Sequence, residues 1–409
     1  MRYILSTPIV FFLLGIFVHA IVEFGGEITP SFLFILALSP FWLWQWRYDH
    51  TSKNIACFYV IMIVIQIIWA IYFSETDKMT QIKGIMVTFS GLLFFLFYYP
   101  IIRDKPSLLK WYIFGEFIAS FFYIDMIAIR EEGGEEEQIW KFQIFPRIVR
   151  LTIMLYLFSV NSKFINKTFP IIFVGVGLLG LLTGARSAGL SLLTPSVFFI
   201  ALQYVKRRTK IKYALFIGGI ALYLIYSQFY VPRVLDGRIT GGNTEQLLKV
   251  ENPRNPFNLL LIGRSDSFVP FYAFFDKPLT GWGLGTSDPD YKYHYLQQEL
   301  VNQEDEFDVN NVVRETIPGH SVWGSYSCSY GILMFITIFL FIAYIFRLCY
   351  RYIYLTGKYK LYCIYLAYAI IWSFLFSPYP TLKTTLSINV AFLVALLISQ
   401  KKLFELANE

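Results

Sequence analysis

Ile317-Pro318-Gly319-His320-Ser321-Val322-Trp323 marks the point where a long polar stretch of the chain gives way to an apolar one. Residues 231–319 form a polar excursion in an otherwise apolar sequence, and the run opened by His320 is hydrophobic again. A loop of that length is usually functional and seldom a bare connector. Imidazole titrates near neutrality, so it can take a proton from a hydroxyl under ordinary conditions. Set where a water-exposed loop meets a membrane helix, His320 would reach both a soluble hydroxyl and a lipid-borne headgroup. Capping of the helix start is the other reading of Gly319-His320-Ser321.

The rest of the composition makes the bilayer the solvent. Of the 409 residues, 56% are hydrophobic and 15% charged, and the mean hydropathy is +0.52. Soluble domains carry about a quarter charged residues. The 41 Phe and 29 Tyr suit lipid-facing surfaces and interfacial belts. Apolar runs cover approximately residues 4–22, 29–46, 55–73, 84–102, 108–129, 139–160, 168–184, 187–205, 211–230, 320–347, 360–377 and 383–400. Each is read as a crossing of a hydrocarbon core roughly 30 Å thick, at about 1.5 Å of rise per residue. The expectation is an all-α polytopic protein of about 12 transmembrane helices with one large outer loop. It divides into spans within 1–230, the loop at 231–319, and three further spans with a tail in 320–409. Arg2 and the apolar run to Ala20 mimic a signal peptide, but no small-residue cleavage site follows, and this run is read as the first span.

The net charge of +7 does not point to nucleic acid, because the cations cluster in short loops between spans. One set of loops holds Arg47 and Lys53; Arg103, Lys105 and Lys110; Lys163 and Lys167; Lys206 to Lys212; Arg347 to Lys360; and Lys401 with Lys402. By the positive-inside rule this set and both termini face the cytoplasm. The other set, including Glu131 to Glu137 and the long loop, then lies outside. Cys57, Cys328, Cys349 and Cys363 lie in or beside apolar runs without paired spacing, and read as small core hydrophobes.

Beside His320, four arginines are candidates for a site. Arg264 lies in the loop, and Arg186 sits at an outer helix end in Thr183-Gly184-Ala185-Arg186-Ser187. Guanidinium forks match phosphate oxygens bidentately and would stabilise a departing pyrophosphate; each could instead snorkel to the interface. Arg147 and Arg150 share a helix face inside a span. They would line a substrate pocket or pair with Asp125 or Glu116. Glu131 to Glu137 and Gln303 to Asp308 read as solvated turns, and Ser265 to Phe275 as a short amphipathic helix at the interface. Leu279-Thr280-Gly281-Trp282-Gly283-Leu284-Gly285 resembles a phosphate-cradling loop, but no strand precedes it and no Lys-Ser/Thr follows. His19 and His294 lack partners at metal-ligand spacing, His50 falls in a cytoplasmic loop remote from the proposed chemistry, and there is no Asp-x-Asp. Neither a metal nor a cofactor is expected.

At Thr183-Gly184-Ala185-Arg186-Ser187, at Gly263-Arg264-Ser265 through Asp276-Lys277-Pro278 to Gly285, and at His320-Ser321-Val322-Trp323 to Tyr330-Gly331-Ile332, the chain resembles a known superfamily. It is that of the O-antigen polymerases (Wzy) and O-antigen ligases (WaaL), and the resemblance covers roughly residues 170–335. It departs from the pattern at Ser321, where asparagine is common, and at Ala185, where a second hydroxyl residue is common. The resemblance implies an inner-membrane, metal-independent glycosyltransferase with a fold similar to C-type glycosyltransferases, acting at the periplasmic face. Its donor and acceptor would be undecaprenyl-pyrophosphate-linked oligosaccharides. It also implies that His320 is the general base, that Arg264 and Arg186 hold the pyrophosphate, and that a separate chain-length co-polymerase is a partner. Polymerase is favoured over ligase, which would deliver glycan to lipid A–core, on compact length and aromatic composition. A lipid-glycan flippase or transporter is the alternative from another class. Against it stand the lack of an internal repeat and the long outer loop.

Overall fold

The computed structural model describes every residue except 1, 24–26, 46–47, 73–75, 123–138, 160–162, 204–210, 239–246, 249, 251, 302–314 and 407–409. Asp125, Glu131 to Glu137, and Gln303 to Asp308 lie outside the described residues. Among those described the structure is helical, apart from a two-residue ladder of Val22–Glu23 against Glu27–Ile28 and a lone bridge between Ser287 and Thr316.

In chain order the longer helices are α1 (Pro8–Phe17), α2 (Pro30–Ala37), α3 (Ser39–Gln45), α4 (His50–Tyr72), α5 (Lys78–Asp104), α6 (Leu109–Phe122), α7 (Phe145–Ser159) and α8 (Lys163–Leu182). They continue as α9 (Arg186–Gln203), α10 (Ile211–Leu224), α11 (Pro256–Gly263), α12 (Ser265–Asp276), α13 (Lys292–Leu300), α14 (Val322–Tyr352), α15 (Lys360–Phe376) and α16 (Thr385–Leu406). Six stretches are long and apolar enough to cross a membrane: His50–Tyr72, Lys78–Asp104, Trp140–Ser159, Ile211–Leu235, Val322–Leu355 and Gly357–Phe376. Pro8–Phe17, Lys167–Leu182 and Thr385–Lys401 are shorter apolar helices. This is the make-up of a multi-pass membrane protein. The run expected over 29–46 is instead divided into α2 and α3. Pro40 at the start of α3 explains the division, since it has no N–H to give and its ring crowds the preceding turn.

α5 is the central helix, packed between α4 and α16. Its Phe94, Phe95, Phe97, Tyr98 and Tyr99 are fully buried. The outer face of α4 is apolar and exposed at Val60, Ile61, Val64, Ile67, Ile68 and Ile71, and that of α10 at Leu215, Phe216, Ile217 and Ile220. Exposed apolar surface on this scale calls for lipid. In lipid the hydrophobic effect gives helices little reason to associate, so close backbone approach and dispersion take over. Gly15 of α1 and Gly115 of α6 provide one such approach: a Cβ on Gly115 would fall 2.1 Å from the Phe12 carbonyl oxygen.

The feature that positions the site is a break inside α14. Gly331 has φ 71° and ψ −160°, which interrupts the helix nine residues after its start at Val322. The broken turn is satisfied from outside by the glycine-rich loop. The Trp282 amide donates to the Cys328 carbonyl at 2.8 Å and the Gly283 amide to the Ser329 carbonyl at 3.0 Å. The Ile332 amide donates back to the Pro278 carbonyl at 2.7 Å. A Cβ on Gly281, itself at φ 72°, would lie 2.6 Å from the Cys328 carbonyl oxygen. The Trp69 indole N–H donates to the Thr280 carbonyl, tying the loop to α4 as well. The glycines of this loop therefore serve a protein backbone, which must have its polar groups paired at membrane depth.

Candidate functional site

The loop helix expected over Ser265 to Phe275 forms as α12, Ser265–Asp276. Its buried face, Val269, Pro270, Ala273 and Phe274, lies against the first part of α14. Phe274 stacks on Phe335 at 5.1 Å between centroids, and Phe271 meets Trp323 edge-on at 5.7 Å. These contacts bring the start of α12 against the start of α14, and so bring Asp266 against His320.

Two interactions join those two residues, and a third joins His320 to Ser267. The His320 amide donates to the Asp266 carbonyl at 3.0 Å, and the Ser267 hydroxyl donates to the His320 carbonyl at 3.0 Å. His320 Nδ1 lies 3.6 Å from Asp266 Oδ2, an ion-pair separation longer than a hydrogen bond. A carboxylate facing Nδ1 favours the tautomer with its proton there, which leaves the lone pair on Nε2. Apo sites commonly hold such pairs long and tighten them with substrate bound. The imidazole side chain is 41% exposed, so a reactant can reach it. Capping of α14 falls to Ser321, whose hydroxyl accepts the Gly324 amide at 2.9 Å and donates to the Phe374 carbonyl at 3.0 Å. The His320 ring is thus not required for the cap.

Arg264 is the joint between α11 and α12, with φ −145° and ψ 33°, outside helical values. Its guanidinium carbon lies 5.7 Å from the Trp372 ring centroid on α15. Among the described residues the guanidinium makes no hydrogen bond or ion pair, so its donors remain available to an anion.

Arg186 opens α9, which packs along α15. The Lys360 ammonium donates to the Leu202 carbonyl at 3.4 Å, which joins the end of α9 to the start of α15 and makes the two antiparallel. The start of α9 therefore lies at the Trp372–Phe376 end of α15, the end that carries Arg264 and the Ser321 contact. Arg186 acts electrostatically on Tyr226 and Tyr230, which stack on each other at 5.9 Å.

Arg147 and Arg150 go elsewhere. Arg147 Nε donates to the Ser120 carbonyl at 2.9 Å, and its guanidinium carbon lies 5.0 Å from the Phe121 ring centroid, so this residue fastens α7 to α6. Arg150 acts electrostatically on Tyr365 of α15. Tyr365 is eleven residues below Phe376, about 16 Å at 1.5 Å per residue, so Arg150 belongs to a deeper level than His320. Glu116, weighed as a partner for either arginine, instead has His19 Nε2 at 3.5 Å.

Sequence reasoning missed Asp266, although it is the single acid in Gly263 to Phe275 and follows Arg264 by two residues. It also missed the pairing of His294 Nδ1 with the buried Asp288 at 2.6 Å, which holds the start of α13. Tyr368 and Trp372 gave no signal at all, since they are two aromatics among many. Compared with protein-family models and with curated proteins, the chain matches no family model and no curated protein.

Proposed function

We propose that this chain is a metal-independent glycosyltransferase of the bacterial inner membrane, with twelve passes, cytoplasmic termini and its reaction site on the periplasmic face. The single observation that carries the reading is the pairing of His320 with Asp266, two residues from an arginine whose donors are not engaged. In the proposed reaction an acceptor sugar hydroxyl attacks the anomeric carbon of a glycan carried on undecaprenyl pyrophosphate. The hydroxyl proton passes to His320 Nε2 as the new C–O bond forms. The bond from the anomeric carbon to the pyrophosphate oxygen breaks, and its electrons leave with the pyrophosphate. Arg264, with Arg186 at the same end of the helix pair, meets that charge. The donor bond supplies the free energy, so no nucleotide sugar enters.

The resemblance to O-antigen polymerases makes a lipid-linked repeat unit the preferred acceptor. A feature among the described residues that would serve a transporter is the interruption of α14 at Gly331, because broken helices in transporters coordinate cargo. Here the Cys328 and Ser329 carbonyls are already taken by Trp282 and Gly283, which favours a structural role.

The test is a transfer assay with purified protein in nanodiscs and a homogeneous lipid-pyrophosphate-linked repeat unit, without nucleotide sugar. A ladder of products supports a polymerase. A single transfer that requires lipid A–core would make the protein a ligase, and substrate binding without transfer to either acceptor would overturn the enzymatic reading.

A further inference from the structure

One face of α15 carries an aromatic ladder that runs on from the Arg264 contact at Trp372. Tyr368 and Trp372, one turn apart, stack at 5.8 Å between centroids and 27° between planes. Trp372 continues to Phe376 at 4.9 Å, and Phe376 meets Phe268 of α12 at 6.2 Å. Arg264 and Tyr368 thus share the Trp372 ring, and the charge of Arg264 acts on the Tyr368 hydroxyl. That hydroxyl oxygen is buried and has no hydrogen-bond partner among the described residues. A buried hydroxyl left without a partner has lost its hydrogen bonds to water, which a ligand can restore. The Arg264 guanidinium, also without a hydrogen bond among the described residues, presents five donors in a plane. Two sets of donors on one aromatic ring, with no acceptor supplied by the described residues, call for an anionic acceptor from outside the chain.

We propose that Tyr368 is a second donor to the phosphate held by Arg264, and that Trp372 is the positioning residue that holds the guanidinium for it. The ligand class is a phosphate monoester or diphosphate, and the committed source is the headgroup of a polyprenyl pyrophosphate. This rests on the glycosyltransferase reading above. Trp372 lies four residues inside Phe376, about 6 Å along the helix axis, which suits a headgroup drawn slightly below the membrane surface.

The experiment measures the binding of undecaprenyl pyrophosphate to the full-length protein in zwitterionic nanodiscs, with inorganic pyrophosphate as competitor. Tyr368→Phe removes only the hydroxyl and keeps the stacked ring. It should weaken lipid pyrophosphate binding about 10-fold, the scale of a hydrogen bond to a charged group. Inorganic pyrophosphate should lose affinity by the same factor, because the lost contact belongs to the headgroup. Trp372→Leu should weaken both probes by releasing Arg264, and Trp372→Phe should recover most of the loss. Arg264→Lys keeps the charge but loses the fork and the flat face, and should also weaken both. If wild type binds and Arg264→Lys weakens it while Tyr368→Phe binds as wild type does, the subsite is wrong and the functional reading stands. If the Tyr368→Phe effect appears with the lipid and not with inorganic pyrophosphate, the hydroxyl touches something other than phosphate and the proposal falls. If wild type binds neither probe, the functional reading itself fails.

Discussion

His320 is held at three points by Asp266 and Ser267, and this restraint matters more than its position in the sequence. A general base contributes only when its lone pair is aimed, and the Asp266 carboxylate is the group placed to aim it. His320→Ala should lower the transfer rate by about 10²–10⁴-fold while substrate binding persists. Asp266→Asn keeps the backbone contact and removes the charge, so it should lower the rate less than His320→Ala does. Single-turnover rates beside a binding measurement would check both. An equal loss of binding in either variant would mean that these residues hold the fold or the substrate and do not act on the proton.

At the scale of elements, the break in α14 and the loop that caps it form one unit. A Cβ on Gly331 would fall 2.3 Å from the Leu279 carbonyl oxygen, and its φ of 71° is left-handed. Gly331→Ala should therefore destabilise the protein by more than ~1 kcal/mol. The lipid-facing Leu333→Ala, two residues on and 63% exposed, should have little effect, and thermal unfolding in one detergent compares the two. A second unit joins α12 to α13, where the Lys292 ammonium donates to Asp276 at 2.5 Å and the Tyr293 hydroxyl at 2.7 Å. The Lys292 and Tyr293 hydrogen bonds hold the Asp276 carboxyl below its usual range. With the folded value depressed, the stabilisation is complete above the unfolded value of about 3.9 and is lost as pH falls through the folded value. Because Asp276 is 41% exposed, the effect should stay under ~1 kcal/mol. Amide protection over residues 276–300, corrected for the intrinsic slowing of exchange in acid, should fall as the pH drops below about 4, and Asp276→Asn should flatten that change. Unchanged pH dependence in the variant would assign the acid sensitivity to other groups.

Across the whole molecule, what could be read from the chain alone was whatever repeats locally. Apolar runs declare helices because each residue rises about 1.5 Å and the bilayer core demands length. The aromatic stretch Ser265 to Phe275 declared a helix in the same way. Contacts made across sequence left no such trace. The alternate glycines at Gly281 and Gly283 pass for a ligand loop until Cys328 and Ser329 are seen opposite them. Arg147 satisfies itself on the Ser120 backbone carbonyl, an acceptor every residue owns, so no neighbour could have signalled it. Orientation is open to a direct check in a background of Cys57→Ala. Single cysteines at Arg238, which is 71% exposed, and at Lys358, also exposed, should label oppositely. A membrane-impermeant thiol reagent added outside intact spheroplasts should reach position 238 at once and position 358 only after permeabilisation. Labelling of both from outside would refute the proposed topology.

The most direct measurement of the central claim is product formation from a lipid-pyrophosphate-linked repeat unit by wild type and His320→Ala, with binding of that substrate followed in both. Wild type should give a product ladder and the variant little or none, with similar binding by the two. Transfer by the variant at the wild-type rate would contradict the claim, because the proton would then have another acceptor.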